Sequence, residues 1–197
     1  MGPRSLRVLG LGALALLAAI ASAQNRYSSI LIDRVLMDIR LGSSLSALKK
    51  TFPPTSTFPK HGELNGGVER IYIRRYDCRT FPLGVDVIRL ELVNGSVVAV
   101  KAVFDIQQTN RESLEIMVRE LSQKYGEPFR DGMTYRWRDE RTLLSAYDEQ
   151  IPSTSKKKRV ELRTAIELLD LDGYPRPPEP KRKSSYDTIY RRLIGGY

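Results

Sequence analysis

The sequence is poor in the residues that build catalytic sites, metal sites and covalent cross-links: it contains one cysteine, Cys78, and one histidine, His61. A single cysteine excludes an internal disulfide, and a single histidine excludes metal sites that need two or three imidazoles. A Ser-His-Asp arrangement, or a Cys–His nucleophile pair, would have to use His61. We expect Cys78 to be a half-buried structural thiol, with an intermolecular bridge as the alternative.

Motifs for cofactor and metal binding are also missing. The sequence has no glycine-rich phosphate loop. Asp170-x-Asp172-Gly173 begins like a calcium loop, but Pro175 and Pro177 follow and the glutamate that completes such a site is absent. We therefore expect no enzyme, no cofactor and no metal, and we assign no catalytic, cofactor-binding or metal-binding residue.

Long apolar runs are absent except near the N-terminus. Two arginines precede an apolar run from Val8 to Ile20, and Ala21-Ser22-Ala23 has the small-x-small form of a secretory cleavage site. The run is shorter than the roughly 20 residues that a membrane-spanning helix needs. Residues 1–23 are therefore predicted to be a cleaved signal peptide, with a retained anchor as the alternative. The mature chain from Gln24 is expected to be exported, either periplasmic or secreted.

The net charge of +9 is unevenly placed. The tail, residues 174–197, holds six lysines and arginines against Glu179 and Asp187, so the rest of the mature chain is only mildly basic. We therefore expect no nucleic-acid partner, although the tail could contact an anionic surface.

The tail has a pattern of its own. Four prolines are predicted to hold residues 174–180 extended, and residues 185–194 could form a short helix. A disordered end is the alternative, since disorder concentrates at termini. The basic cluster and the apolar side of the short helix are the proposed partner-binding residues: Lys181, Arg182, Lys183, Tyr186, Ile189, Tyr190 and Leu193.

Residues 109–125 carry the clearest helical pattern. Thr109 and Glu112 have the spacing of a capping box, and Gly126 with Pro128 supplies a stop. We therefore predict one helix from Thr109 to Tyr125, with an apolar side that packs on a sheet. Five residues form that apolar side: Leu114, Met117, Val118, Leu121 and Tyr125.

Alternating patterns predict six strands in two groups of three. The first group is Val68–Tyr76, Val85–Val93 and Ser96–Phe104; the second lies near residues 133–138, 142–146 and 160–168. A helix over residues 45–52 precedes the first group and the longer helix precedes the second. The predicted fold class is α+β: two helix-plus-three-antiparallel-strand units with the helices packed on the sheets. This domain spans residues 24–173, with a possible repeat of 39–106 and 109–169.

Hairpin registers follow from the requirement that apolar residues share one face. At Asn94-Gly95 we predict a three-residue loop with Gly95 as a bulge, which pairs Leu90 with Val98 and Ile88 with Val100. In the second group a tight turn at Asp139-Glu140 is predicted to pair Trp137 with Thr142.

Two short motifs resemble those of a known group of domains. Residues 39–49, IRLGSSLSALK, resemble the hydrophobic-x-x-Gly-x-Ser start of small exported helix-plus-three-strand domains. Tyr125-Gly126-Glu127-Pro128 resembles the aromatic-Gly-x-Pro helix exit of the same domains. The group includes the small lipoprotein of the outer-membrane barrel-assembly machine and the tandem-repeat inhibitors of secreted β-lactamases. The resemblance covers roughly residues 39–169 and implies a non-enzymatic binding role in the envelope, although the lipidated cysteine of the lipoprotein is absent.

These patterns predict an exported non-enzymatic interaction module whose sheet face or tail binds a protein or an envelope polymer. The alternative is an exported enzyme or small-ligand carrier with a site in the loops 55–67 and 77–83. An enzyme would need a concave polar pocket that gathers His61, Cys78 or paired carboxylates. A module would instead present an exposed apolar or basic patch.

Overall fold

The computed structural model describes residues 30–64, 67–152 and 160–175 of the chain. The predicted signal peptide, residues 1–23, lies outside the described residues, and so does the tail from residue 176 onward. The helix over residues 185–194 therefore stays a prediction. The same holds for the proposed binding residues of the tail: Lys181, Arg182, Lys183, Tyr186, Ile189, Tyr190 and Leu193.

The described part contains ten strands and three α-helices. The strands are β1 (Val35–Leu36), β2 (Ile39–Arg40), β3 (Lys60–Leu64), β4 (Val68–Arg74), β5 (Val85–Val93), β6 (Ser96–Phe104), β7 (Phe129–Asp131), β8 (Thr134–Arg138), β9 (Thr142–Pro152) and β10 (Val160–Asp170). The helices are α1 (Leu45–Thr51), α2 (Ile106–Arg111) and α3 (Leu114–Tyr125), and a 3-10 turn spans Arg75–Asp77.

Strands β3 to β10 form one antiparallel sheet in the order β3-β4-β5-β6-β10-β9-β8-β7. Strands β1 and β2 pair in a separate hairpin. The long hairpins β5–β6 and β9–β10 supply the centre of the sheet, where Val100 of β6 lies opposite Leu168 of β10. The last described strand in sequence is therefore a central strand of the sheet.

The predicted organisation into two helix-plus-three-strand units is wrong. The protein is mostly β, and eight strands share one sheet. Strand β3 lies within residues 55–67, predicted to be a loop because turn-forming residues dominate that stretch, and the three residues of β7 are too few to show alternation. The pairing of β6 with β10 joins segments that are far apart in sequence, which no local pattern encodes.

The main core lies between the sheet and the helical layer. Leu90, Val100 and Leu168 are at most 1% exposed on this face of the sheet. Leu48 of α1 is buried in the same cluster, and the apolar side of α3 packs against it. Because a buried aliphatic side chain contributes about 1.5–3 kcal/mol, this layer is the main source of stability. We call this side of the sheet the helical face.

The predicted helix over residues 109–125 is two helices, α2 and α3. Asp105 begins α2, since its carboxylate accepts a backbone N–H of the first turn at 2.8 Å. The Thr109 hydroxyl instead accepts the N–H of Thr164 at 3.2 Å. The predicted capping box of Thr109 and Glu112 is therefore wrong, because a better cap lies four residues earlier.

The apolar side of α3 is confirmed. Leu114, Met117, Val118 and Leu121 are partly buried against the core, and Tyr125 is buried in it. Gly126 ends the helix with φ of +81°, a left-handed conformation that glycine adopts without strain. No helix in the described ranges combines the length and hydropathy needed to cross a bilayer.

The hairpin between β5 and β6 turns through two residues, Asn94-Gly95, whose φ angles are +50° and +76°. The predicted three-residue loop with a Gly95 bulge is therefore wrong. The extra residue is Val98 of β6, where the pairing shifts, so that Leu90 lies opposite Val100. This bulge meets the same requirement, apolar residues on one face, at a different position.

The hairpin between β8 and β9 has a longer loop than predicted. Trp137 lies opposite Leu144 rather than Thr142. The tight turn at Asp139-Glu140 is wrong because the Asp139 carboxylate accepts the N–H groups of Arg141 at 2.8 Å and Thr142 at 2.6 Å, and so holds a wider loop. The shift is two residues, so each side chain keeps its predicted face.

Candidate binding face

The sheet has a second face that no described helix covers. Successive side chains of a strand point to opposite faces, so Tyr72, which lies between the buried Ile71 and Ile73, points away from the helices. Among the described residues, no apolar side chain of a helix packs against the small apolar cluster on this side. We call it the open face and define it by eight polar and aromatic residues: Arg70, Tyr72, Arg89, Glu91, Lys101, Tyr147, Glu149 and Glu167.

Small apolar residues form the floor of the open face. Val87, Val103 and Ala165 lie side by side on β5, β6 and β10 and are buried. The rings of Tyr72 and Tyr147 pack against them. The two tyrosines are therefore held on an apolar base, with their positions fixed by neighbouring strands.

Two cations lie over these rings. The Arg89 guanidinium is 5.9 Å from the centroid of the Tyr72 ring, and the Lys101 ammonium is 5.0 Å from that of Tyr147. Both distances are within the range of cation–π attraction. Both cations also approach Glu149, at 2.7 Å from Arg89 and 3.0 Å from Lys101. One carboxylate therefore holds two cations in place above two aromatic rings.

A second ion pair borders the same surface. Arg70 pairs with Glu91, and the Tyr174 hydroxyl donates to the other oxygen of Glu91 at 2.7 Å. Burial, followed by the hydrogen bond to Glu91, raises the pKa of Tyr174 to about 12. Tyr174 therefore stays protonated at neutral pH and fastens the end of the described chain to the open face.

Glu167 lies near the middle of the open face, directly opposite Lys101 in the sheet. The Tyr147 hydroxyl donates to Glu167 at 3.4 Å, whereas the Lys101 ammonium lies at Glu149. Burial raises the pKa of Glu167 against the lowering effect of Lys101, and the charges of nearby glutamates raise it further. Burial likewise raises the pKa of Tyr147. The centre of the face thus carries a carboxyl group that is less readily ionised than usual.

The structure places His61 and Cys78 in separate parts of the fold. The backbone of His61 lies in the edge strand β3, opposite Arg70, whereas Cys78 bridges to Pro54 beyond the 3-10 turn. Burial, and secondarily the charge of Asp77, raises the pKa of the Cys78 thiol. Cys78 was predicted to be half-buried, and the structure buries it more fully than that.

A cavity of about 420 Å³ lies at the end of the sheet formed by β3 and the β5–β6 turn. Lys60 and Glu69 line it and form an ion pair at 2.6 Å. Lys60 and Gly62 of the loop 55–67 line this cavity, whereas Cys78 does not. Across residues 30–64, 67–152 and 160–175, no three His, Cys, Asp or Glu residues lie where they could hold a metal ion.

The sequence alone does not reveal the contacts of the open face. Alternating charges such as Glu161 and Arg163 are typical of a solvated strand face, and that interpretation hides the cross-strand contacts. The signal that could have found the face is the occurrence of Tyr72 and Tyr147 at positions that alternate with core residues. Compared with family models, with curated proteins and with solved structures, the chain gave no match.

Proposed function

We propose that this protein is an exported, non-enzymatic interaction module that binds a protein or an envelope component through the open face of its sheet. The observation that carries the proposal is the pair of tyrosines, Tyr72 and Tyr147, held on an apolar floor beneath Arg89 and Lys101. Tyrosine and arginine are the side chains enriched at the energetic centres of protein interfaces.

The packing of the open face favours binding because its side chains are already ordered. Association costs about 0.5–1.5 kcal/mol for each flexible side chain that it immobilises. Arg89 and Lys101 are held by Glu149, and Arg70 is held by Glu91. A partner therefore meets a surface whose long side chains have little freedom left to lose.

The charges of the open face make the proposed partner a polar one. Cations and carboxylates alternate across the strands, so a partner needs groups of both signs at matching positions. Export of the chain, the second part of the proposal, rests on the predicted signal peptide, residues 1–23.

Affinity capture tests the proposal. The chain from residue 24 is immobilised and exposed to the envelope fraction of cells that produce it. We expect Tyr72→Ala and Arg89→Ala to lose species that the wild type retains, whereas Arg119→Ala, on the exposed side of α3, keeps them. Circular dichroism checks that all variants are folded. Equal capture by the four proteins would reject the open face as the binding surface.

A further inference from the structure

A second exposed surface lies at one end of the sheet, where the 3-10 turn and the loop that follows it connect β4 to β5. This connection packs on the chain that leaves α1. The N–H of Arg79 donates to the Pro53 carbonyl at 2.9 Å. The Thr80 hydroxyl donates to the carbonyl of Thr51, the last residue of α1, at 3.5 Å. The C-terminal end of α1 and the β4–β5 connection therefore form one continuous surface.

Four cations on this surface have no ionic partner among the described residues. Lys49 and Lys50 lie in the last turn of α1, and Arg75 and Arg79 lie in the β4–β5 connection. All four residues are exposed, and their side chains make no ion pair or hydrogen bond within the described part of the chain. The cations of the open face, by contrast, are held by carboxylates such as Glu149. The positive charge at this end of the sheet is therefore available to a ligand.

The carboxylates of the same region are already engaged. Asp77 is buried and accepts the N–H of Arg74 at 2.8 Å. Asp86, in β5, lies 3.9 Å from the guanidinium of Arg163. Asp105 caps the start of α2. The four cations therefore keep their full charge towards solvent.

Large apolar side chains are exposed beside these cations. Leu83 is 84% exposed and Tyr76 is 67% exposed, both in the β4–β5 connection. Ile106, at the start of α2, is 40% exposed, and the N–H of Asp105 just before it donates to the Gly84 carbonyl at 2.8 Å. Removing such side chains from water is favourable. This end of the sheet therefore combines apolar contact area with unpaired positive charge.

We propose that this surface binds a membrane that contains anionic lipids. We call it the basic apolar end and define it by six residues: Lys49, Lys50, Arg75, Tyr76, Arg79 and Leu83. In the bound state Leu83 and Tyr76 enter the boundary between the headgroups and the acyl chains, and the four cations lie at the level of the lipid phosphates. The inference goes beyond the proposed function, because none of these residues belongs to the open face.

The character of the basic apolar end favours a membrane over an acidic protein. A protein partner presents its carboxylates at fixed positions and is matched by cations that are also fixed. A lipid surface offers mobile phosphates, so it attracts cations that no neighbouring carboxylate holds in place. A side chain as exposed as that of Leu83 protrudes from the protein rather than lining a groove, as insertion between headgroups requires.

Cosedimentation of the chain from residue 24 with lipid vesicles tests the proposal. We expect binding to vesicles of phosphatidylcholine and phosphatidylglycerol in equal parts, and none to vesicles of phosphatidylcholine alone. Arg75→Glu/Arg79→Glu is expected to weaken the binding about tenfold or more. The control, Arg40→Glu/Arg119→Glu, changes two exposed arginines of β2 and α3. It has the same net charge and the same tail, and should lose far less binding.

A second comparison isolates the apolar contribution. Leu83→Asn and Leu31→Asn replace leucines of nearly equal exposure, 84% and 82%, without changing the charge. Only Leu83→Asn is expected to weaken binding to the anionic vesicles. Lys49→Gln/Lys50→Gln, on α1, provides a separate test of the cations and should also weaken it. Circular dichroism checks that every variant is folded.

Four results would each overturn the proposal. They are a lack of binding to the anionic vesicles, equal binding to both kinds of vesicle, equal losses in the two double-arginine variants, and equal binding of the two leucine variants. Equal losses in the double-arginine variants would assign the binding to net charge alone. An acidic protein that the wild type captures without binding vesicles, and that Arg75→Glu/Arg79→Glu loses, would assign the basic apolar end to a protein instead.

Discussion

Arg34 donates a hydrogen bond to the Asp170 carboxylate at 2.5 Å, and so joins the beginning of the described chain to the end of β10. The side chains are only 24% and 12% exposed. The backbone N–H of Ile32 donates to Asp139 at 2.8 Å close by. Two buried or nearly buried carboxylates therefore hold the N-terminal segment against the sheet, and neither contact is visible in a local sequence pattern.

Arg34→Ala is expected to destabilise the protein. The substitution leaves the partly buried Asp170 carboxylate without its cation, at a cost of about 1–3 kcal/mol. Arg40→Ala, at an exposed arginine of the neighbouring β2, should change stability by less than about 0.5 kcal/mol. Urea titration measures both. Equal stability of the two variants would mean that the ion pair contributes nothing.

The Asp170 carboxylate should also make the free energy of unfolding depend on pH in the acidic range. Burial alone would raise the pKa of Asp170, but the hydrogen bond from Arg34 and those from backbone N–H groups outweigh it, so the pKa lies below its ordinary value of 3.8. Its stabilising effect is therefore complete above about pH 4 and is lost as the pH falls through the folded-state pKa. We expect the free energy of unfolding to fall more steeply below pH 4 for the wild type than for Asp170→Asn. Parallel curves would contradict this.

The pH dependence of stability that Glu167 contributes should have the opposite sign, and Glu167→Gln tests it. The folded-state pKa of Glu167 is raised, so its stabilising effect belongs to the protonated form, is complete below about pH 4.3 and is lost as the pH rises through the folded-state pKa. A neutral glutamine is therefore expected to raise the Tm at pH 7, with a gain that shrinks in acid. Glu127→Gln, at an exposed glutamate, is the control. A lower Tm for Glu167→Gln at pH 7 would show that attraction to Lys101 outweighs burial.

The stability lost by a core substitution should increase with the burial of the side chain on the helical face. Leu90 is fully buried, so Leu90→Ala is expected to cost about 2–5 kcal/mol. Leu121 is only partly buried against the same core, and Leu121→Ala should cost less. Arg119→Ala, on the exposed side of α3, should stay within about 0.5 kcal/mol. Guanidinium titration ranks the three, and a different order would mean that α3 packs through another side.

Export is tested by the N-terminus of the secreted form. If residues 1–23 are a signal peptide, mass spectrometry of the protein recovered outside the cytoplasm should find a chain that begins at Gln24. Ala21→Arg/Ala23→Arg removes the small residues that the peptidase needs and should leave the precursor uncut. Met1 at the start of the wild-type exported chain would contradict the prediction.

The parts of the fold that the sequence predicts are those with a local cause. Strands β5 and β6 have the predicted bounds, because their alternation is regular and Asn94-Gly95 marks the turn. The predicted helix at residues 45–52 also forms, and the Ser44 hydroxyl caps it by accepting the N–H of Ala47. The bulge at Val98 could not be predicted, because more than one position satisfies the same facial requirement.

The open face could not be predicted because it depends on which strands are neighbours. Arg89 and Glu149 are 60 residues apart and meet only because β6 and β10 pair between them. A sequence shows that both are charged residues on one side of a strand, but not that the two strands share a sheet.

The position of β10 also determines when the protein can fold. It is the last described strand in sequence, yet it lies between β6 and β9 at the centre of the sheet. A chain that crosses a membrane N-terminus first brings β10 across after all the other strands, so the sheet cannot close before translocation is almost complete. Contacts between distant segments also slow folding. In an exported chain, this strand order would therefore delay formation of the complete sheet until late in translocation.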